Sequence, residues 1–266
     1  MHSSRKRTAT TYLCYCAGSI LVTHDDHLPS GSRPPMPLQP WQLVTTIQDF
    51  RGNDCQVVRP SAPATDIQGY TMMELRHTFG RLSPQEYRLA GKGAELIYWD
   101  ASTRYCGLCG SPTRWQTSIS KQCTQCGKEM WPSPSVAIIV RVTRGQEILL
   151  VRARNFRGSH YGLVAGVVET GETLEESVHR ELWEETRICI RNLRYFGSQP
   201  WPFPFGMMVG FTAEYESGTL QLQQSELSHG GWFTADHLPP IPDKASIARR
   251  LIDDWTDSLK SPHSHP

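Results

Sequence analysis

Gly166-Val-Val-Glu-Thr-Gly-Glu172-Thr-Leu-Glu-Glu-Ser-Val-His-Arg180-Glu181-Leu-Trp-Glu184-Glu185-Thr-Arg-Ile188 is the stretch from which the rest of the chain can be read. Thr173 followed by Glu176 has the spacing of a capping box, in which each side chain accepts from the other residue's backbone N–H, so a helix starts there. Leu174, Val178 and Leu182 form an apolar stripe that packs inward. Glu181, Glu184 and Glu185 stand at i, i+3 and i+4 and share one helix face. Like charges at that spacing destabilise an isolated helix by ~0.2–0.5 kcal/mol per pair. A solvated face usually intersperses lysines, and none occurs between Thr173 and Glu185. Hard cations seated against the carboxylates explain the clustering; an exposed acidic helix is the plainer alternative.

Upstream of this segment, Val136 to Val142 and Glu147 to Val151 read as consecutive strands joined by a turn at Thr143 to Gln146. Downstream, Leu220 to Gln223 and Gly231 to Phe233 read as strands and Ala245 to Trp255 as a final helix. The tail Ser261 to Pro266 reads as disordered. Nearer the start, Tyr12 to Val22 reads as a strand or pair of strands. Trp41 to Ile47 is strand-like, Pro29 to Pro40 is proline-rich, and Pro84 to Trp99 carries a helical apolar pattern. Three blocks follow: an N-terminal α+β domain over residues 1–100, a cysteine module over 101–131 and an α/β domain over 132–260. No internal repeat is evident.

The 266 residues carry 27 Lys+Arg against 26 Asp+Glu, so no global field advertises nucleic acid or a basic partner. Tyr12 to Val22 follows a polar, basic start, but no clear small-residue cleavage site follows it, so a signal peptide is not indicated. No apolar run reaches the length of a membrane-spanning helix. A soluble cytoplasmic protein without membrane association is the expectation.

Four of the eight cysteines form two C-x-x-C pairs, Cys106 with Cys109 and Cys123 with Cys126. Each pair can wrap a tight knuckle around one side of a tetrahedral ion, and two knuckles complete a four-thiolate site. Gly107, Gly110 and Gly127 suit such turns. Four thiolates leave no open coordination position, so the zinc expected at this site is structural. A redox C-x-x-C would need a thioredoxin-like βαβ context, which is absent. The module resembles a zinc ribbon, a unit found in enzymes and nucleic-acid binders alike. Cys14, Cys16, Cys55 and Cys189 read as small buried residues; Cys14 and Cys16 also form a C-x-C that could bind metal, but no second pair is in register with it.

The opening segment resembles the Nudix box: glycine, five residues, Glu, seven residues, then Arg-Glu-apolar-x-Glu-Glu-x-Gly-apolar. Gly166, Glu172, Arg180, Glu181, Leu182, Glu184, Glu185 and Ile188 match. Arg187 stands where the box has the glycine that ends the helix, so a strained φ or an altered exit turn is expected there. The resemblance implies a Nudix α/β/α sandwich around a mixed sheet. It also implies metal-dependent hydrolysis of a nucleoside diphosphate linked to another moiety. Mg2+ or Mn2+ would be held by Glu181, Glu185, the carbonyl of Ala165 or Gly166, and Glu226 in Gln224-Ser-Glu-Leu. Glu184 serves as ligand or general base, and Arg180 pairs with Glu172.

Beyond the helix, Ser198-Gln199-Pro200-Trp201-Pro202-Phe203-Pro204 resembles the SQPWPFPxS signature of the NADH pyrophosphatases, the NudC-like Nudix subfamily. The zinc ribbon precedes it in the expected order. Prolines fix φ and hold Trp201 and Phe203 in one presentation, and a rigid aromatic shelf suits stacking of a base or nicotinamide. A Pro-Trp turn packed in the core is the bland alternative. The resemblance implies substrate contacts from Gln199 to Gly206, Phe205 included, and from Arg76, Trp131 and Ala248. Gly206 replaces the signature's final serine, Trp131 a common tyrosine, and Val167 an aromatic that many relatives place against the nicotinamide.

The reaction implied is NAD(H) plus water giving NMN(H) plus AMP, in a homodimer. The family is also associated with removal of NAD caps from RNA 5′ ends. Arg152, Arg154 and Arg157 lie just before the catalytic loop and could meet RNA phosphates, hold the dinucleotide or form a solvated face. Two other readings remain open: a Nudix enzyme for ADP-ribose or another nucleoside diphosphate derivative, and a catalytically weak nucleotide- or RNA-binding module.

Overall fold

Alternation in Ser135–Arg144 organises the larger sheet. Ile138, Val140 and Val142 enter one apolar core, while Ile139 enters a second on the other side of the strand. A strand buried on both faces needs a layer on each, and two helices supply them. The computed structural model describes residues 9–49, 51–61, 67–154 and 160–260. Its contacts divide the chain into two compact units. One comprises Met1–Ser133 with Pro202–Phe205, the other Pro134–Trp201 with Gly206–Pro266.

In the first unit, β1 (Thr10–Cys16) and β2 (Ser19–Thr23) form a hairpin. Ala17 and Gly18 both have positive φ, the conformation a tight hairpin turn requires. Around them lie β3 (Ser30–Gly31), β4 (Leu43–Gln48), β5 (Asp54–Val58) and β6 (Tyr70–Glu74), in the order β4-β5-β1-β2-β6 with β3 beside β1. Helix α1 (Pro84–Ser102) begins at a Ser83/Glu86 capping box and packs Leu89, Ala90, Leu96 and Trp99 with Leu13, Tyr15 and Ile20. The expected helix and the expected strand pair at Tyr12 to Val22 are both present. Of the four cysteines expected to be buried, Cys14 and Cys55 are, and burial pushes the Cys14 thiol up to about 12, whereas Cys16 and Cys189 are partly exposed.

The cysteine module belongs to this unit as a small sheet of β7 (Thr113–Thr117), β8 (Ser120–Cys123) and β9 (Glu129–Met130). Lys121 on β8 is buried between the rings of Trp99 and Trp115, at 5.3 and 5.2 Å. Its ammonium reaches Asp100 Oδ1 at 2.7 Å and the Asp100 carbonyl at 3.0 Å. A buried charge so paired fixes where β8 meets the end of α1, because removing one partner strands the other.

The second unit contains β10 (Ser135–Arg144), β11 (Glu147–Ala153) and β12 (Val164–Val167). Helix α2 (Leu174–Thr186) follows, then β13 (Cys189–Trp201), β14 (Gly206–Ser217), β15 (Leu227–Thr234) and α3 (Ile247–Lys260). The sheet runs β13-β14-β10-β11-β15 with β12 beside β10. It is mixed: β10 pairs parallel with β14 and antiparallel with β12 and β11. Val178 and Leu182 of α2 fill one core, and Ile247, Leu251, Ile252 and Trp255 of α3 fill the other. This is the expected α/β/α sandwich with a mixed sheet.

One expected element is absent. Leu220 to Gln223 is not a strand. Leu220 and Leu222 do pack on the α2 core, so the alternation is real. The backbone partner differs: Gln221 N–H donates to the Thr186 carbonyl at 3.0 Å and Gln223 N–H to the Glu185 carbonyl at 2.9 Å. The segment satisfies carbonyls that the end of α2 leaves free, so it bonds to a helix terminus rather than a ladder. Long β13 and β14, unread in the sequence, carry the aromatic-proline motif instead. The tail Ser261 to Pro266 lies outside the described residues. Among the described residues no helix is long and apolar enough to cross a membrane.

Candidate metal and substrate residues

Helix α2 forms as its sequence requires. Thr173 Oγ1 accepts from Glu176 N at 3.2 Å and Thr173 N donates to Glu176 Oε2 at 2.8 Å. Val178 and Leu182 are fully buried, which fixes the rotation of the helix and turns the glutamates away from that core. At the C-terminus Arg187 adopts the left-handed conformation, φ 59° and ψ 24°, and its N–H bonds to the Trp183 carbonyl. The helix therefore ends as a glycine would end it. The Arg187 guanidinium lies 5.4 Å from the Trp183 ring centroid.

The three glutamates differ in environment. Glu185 is 6% exposed. Burial first, then the charges of Glu181, Glu226 and Glu184, push its carboxyl up to about 8. Glu181 is also raised, by burial and by Glu184 and Glu226, against the lowering pull of Arg180. Glu184 is half-exposed. Four carboxylates thus repel one another around a buried member, the arrangement that a divalent cation relieves.

Arg180 lies beneath this group. Its Nε and Nη2 bond to the Glu172 carboxylate, Nη1 reaches Glu181 Oε1 at 2.9 Å and Glu184 Oε2 at 3.1 Å, and Nη2 donates to the Val167 carbonyl at 3.1 Å. The guanidinium holds Glu172 down at about 2. Glu172 also accepts from Glu169 N at 3.0 Å, so the loop before the helix is tied to the helix face. Just before that loop Gly166 lies on β12, paired with Ile138, and Ala165 is paired with Ile139. A Cβ at position 166 would overlap the Glu181 carboxylate. The box glycine is therefore a cradle for that carboxylate, a role that the sequence did not reveal.

Glu226 joins the group from another element. It sits in the turn after the segment bonded to the end of α2, with Glu226 N donating to the Gln223 carbonyl at 3.1 Å. Arg154, read as able to meet RNA phosphates, hold the dinucleotide or form a solvated face, bonds to Gln224 through Nε and Nη2. Arg157 lies outside the described residues.

The aromatic-proline motif is a hairpin. Trp201 and Gly206 close it as paired residues at the ends of β13 and β14. Pro200 is tolerated because β13 is an edge strand, where a missing N–H faces no neighbour. Trp201 and Gln199 are half-buried, and Gln199 Nε2 donates to the Ala245 carbonyl at 2.7 Å. Ala248 is buried on α3. Pro202 to Phe205 belong to the first unit. There the Arg76 guanidinium lies 4.8 Å from the Phe203 ring centroid, Phe205 is 6.0 Å from Tyr98, and the Phe203–Pro204 peptide is cis. Trp131 is exposed after the cysteine module, and Val167 is exposed on β12.

The four cysteines converge, with ligand atoms all within 4.8 Å of one another. Cys106 and Cys126 Sγ are 3.7 Å apart, and Cys109 and Cys123 Sγ 3.4 Å. Leu108 N donates to Cys106 Sγ, and Gln125 N and Cys126 N to Cys123 Sγ, each at 3.4 Å. Such N–H···S bonds favour thiolates. Donors from Ser111 bring Cys109 down to about 6.

Residues 131–255 match the NUDIX domain, and residues 10–99 match the NADH pyrophosphatase-like rudimentary NUDIX domain. The NAD-capped RNA hydrolase NudC of Haemophilus influenzae (strain PittGG) is 38% identical over 257 residues, 95% of each chain. The protein of the same name from Pectobacterium carotovorum is 42% identical over 180 residues, 67% of this chain and 69% of its own. That of Yersinia pestis (strain Pestoides F) is 36% identical over 249 residues, 90% of this chain and 92% of its own.

Proposed function

The chain belongs to the NUDIX hydrolases of the NADH pyrophosphatase type, and from that premise we propose that it hydrolyses the pyrophosphate of NAD(H) to NMN(H) and AMP. The observation that carries this reading is the end-to-end similarity to the NudC relatives, joined to the buried carboxylate group around Glu185. We assign Mg2+ or Mn2+ to Glu181, Glu185, Glu226 and the Ala165 carbonyl. The residues fit such an ion: they are hard oxygen donors around Glu185, whose carboxyl is raised by burial first and then by the charges of Glu181, Glu226 and Glu184. When bound, the cation supplies positive charge to the pyrophosphate oxygens and lowers the cost of deprotonating a nearby water.

The protein's own groups do the rest. Glu184, more exposed than its neighbours and able to pass a proton to solvent, is the residue we assign as general base. Arg180 neutralises Glu172 and steadies Glu181, keeping the loop from Val167 to Glu172 against α2. In the second unit Gln199, Pro200, Trp201, Gly206 and Ala248 are assigned to substrate; in the first, Arg76, Trp131 and Pro202 to Phe205. Trp201 stacks on a ring of the dinucleotide in this reading.

Structural zinc is assigned to Cys106, Cys109, Cys123 and Cys126. A tetrahedron with Zn–S bonds of about 2.3 Å has edges of about 3.8 Å, near the two sulfur separations above. A reduced four-thiolate site suits the cytoplasm, and the family suggests a homodimer. The name borne by the relatives supports a second substrate, the NAD cap of an RNA 5′ end.

A turnover panel of NADH, NAD+, ADP-ribose and NAD-capped RNA, with Mg2+ and with Mn2+, tests the assignment. Turnover of NADH or NAD-capped RNA above ADP-ribose is expected. Preference for ADP-ribose, or metal-independent turnover, overturns it.

A further inference from the structure

Arg154 stands immediately after β11, where the pairing with β15 shifts register between Arg152 and Ala153. Arg154 N donates to the Glu226 carbonyl at 2.7 Å, carrying the ladder one residue past the strand. Its side chain turns to the same turn: Nε donates to the Gln224 carbonyl and Nη2 to Gln224 Oε1, the latter at 3.2 Å. One residue thus grips the turn at both ends, through its backbone at Glu226 and its guanidinium at Gln224. On the opposite side the turn is bonded to α2 through Gln223 N and the Glu185 carbonyl at 2.9 Å. Glu226 is the one carboxylate of the group that α2 does not carry, so its place depends on these bonds.

The geometry points to Arg154 as a positioning residue that clasps the Gln224–Glu226 turn and holds the Glu226 carboxylate against Glu181 and Glu185. This rests on the metal assignment above. Arginine is required because one planar fork serves the carbonyl and the side-chain oxygen of Gln224 together; a lysine offers a point charge. Groups that orient metal ligands typically affect metal affinity by about 10–100-fold when lost.

The test is Mn2+ binding to the intact protein without substrate, followed by electron paramagnetic resonance, with melting temperature in chelator as the folding control. Arg154→Ala should bind Mn2+ ~10-fold more weakly, and Arg154→Lys should recover little of the loss. Gln224→Ala, which keeps the carbonyl and removes only one acceptor, should give a smaller loss and covers the case in which Arg154→Ala does not fold. In a Glu226→Gln background, Arg154→Ala should add almost nothing, because it acts through Glu226. Wild-type Mn2+ affinity in Arg154→Ala, full additivity with Glu226→Gln, or full recovery by lysine overturns the proposal. Mn2+ binding that behaves as expected in a protein that does not hydrolyse NADH would sink the substrate assignment and leave Arg154 in its role.

Discussion

The Glu181 carboxylate occupies the space where residue 166 would carry a Cβ. Gly166 is held in β12 by its pairing with Ile138, so the Glu181 carboxylate, the end of a flexible side chain bonded to Arg180, is what an added Cβ would displace. The glycine of the motif is needed for room rather than for an unusual backbone: its φ is not among the positive ones.

Gly166→Ala should therefore fold and should lose function through Glu181. Because the added methyl displaces a ligand carboxylate, metal affinity and kcat/KM should fall by about 10–100-fold, with little change in the melting temperature of metal-free protein. Unchanged kinetics would show that Glu181 has somewhere else to go.

Glu185→Gln should preserve the fold and cut turnover by at least ~10²-fold, because a ligand charge is lost at the most buried position of the group. Turnover near wild type with the metal requirement intact would move the constellation away from α2.

Glu185 also sets a pH dependence. Its carboxyl is raised to about 8 from an ordinary 4.5, so the metal-free folded state holds a proton that the unfolded chain releases. Stability from this group is fully present below about 4.5 and is lost as pH rises through about 8. Melting temperature of the zinc-loaded protein without added Mg2+ or Mn2+ should fall across that window, either ion should offset the fall, and Glu185→Gln should flatten it without them. Parallel melting curves for wild type and Glu185→Gln would trace the fall to a different group.

Cys123→Ser should release the bound zinc, measured with a chromogenic chelator, and lower thermal stability, while the remaining folded fraction still hydrolyses substrate. A fully stable but inactive variant would move the cysteine site from structure to chemistry.

Trp201→Ala distinguishes three situations. Stacking on nicotinamide predicts a several-fold higher KM for NADH and weaker discrimination against ADP-ribose, since a stacked ring contributes roughly 0.5–1.5 kcal/mol beyond burial. Stacking on adenine predicts that both substrates weaken together. A packing role for this half-buried residue predicts a lower melting temperature with the NADH to ADP-ribose ratio kept. Unchanged stability with unchanged kinetics would rule out the aromatic shelf.

The sequence alone determined what is local. Thr173 and Glu176 announced the start of α2, its apolar stripe set the rotation, and the spacing of Glu181, Glu184 and Glu185 put them on one face, because helix geometry depends only on neighbours along the chain. The paired cysteines announced their knuckles for the same reason. Strands β13 and β14 were not legible. Register shifts at Arg191/Arg194 and Tyr195/Gly197 break the period-two pattern, and Pro200 argues against a strand unless the strand is known to lie at an edge. Leu220 to Gln223 had a strand's alternation but a helix end for a partner. Only the tertiary structure decided that Gly166 makes room for Glu181, that Arg154 grips the turn of Glu226, and that Lys121 is buried between two tryptophans. Each of these joins residues far apart in the chain, and their meeting depends on how sheet and helices pack rather than on any spacing written in the sequence.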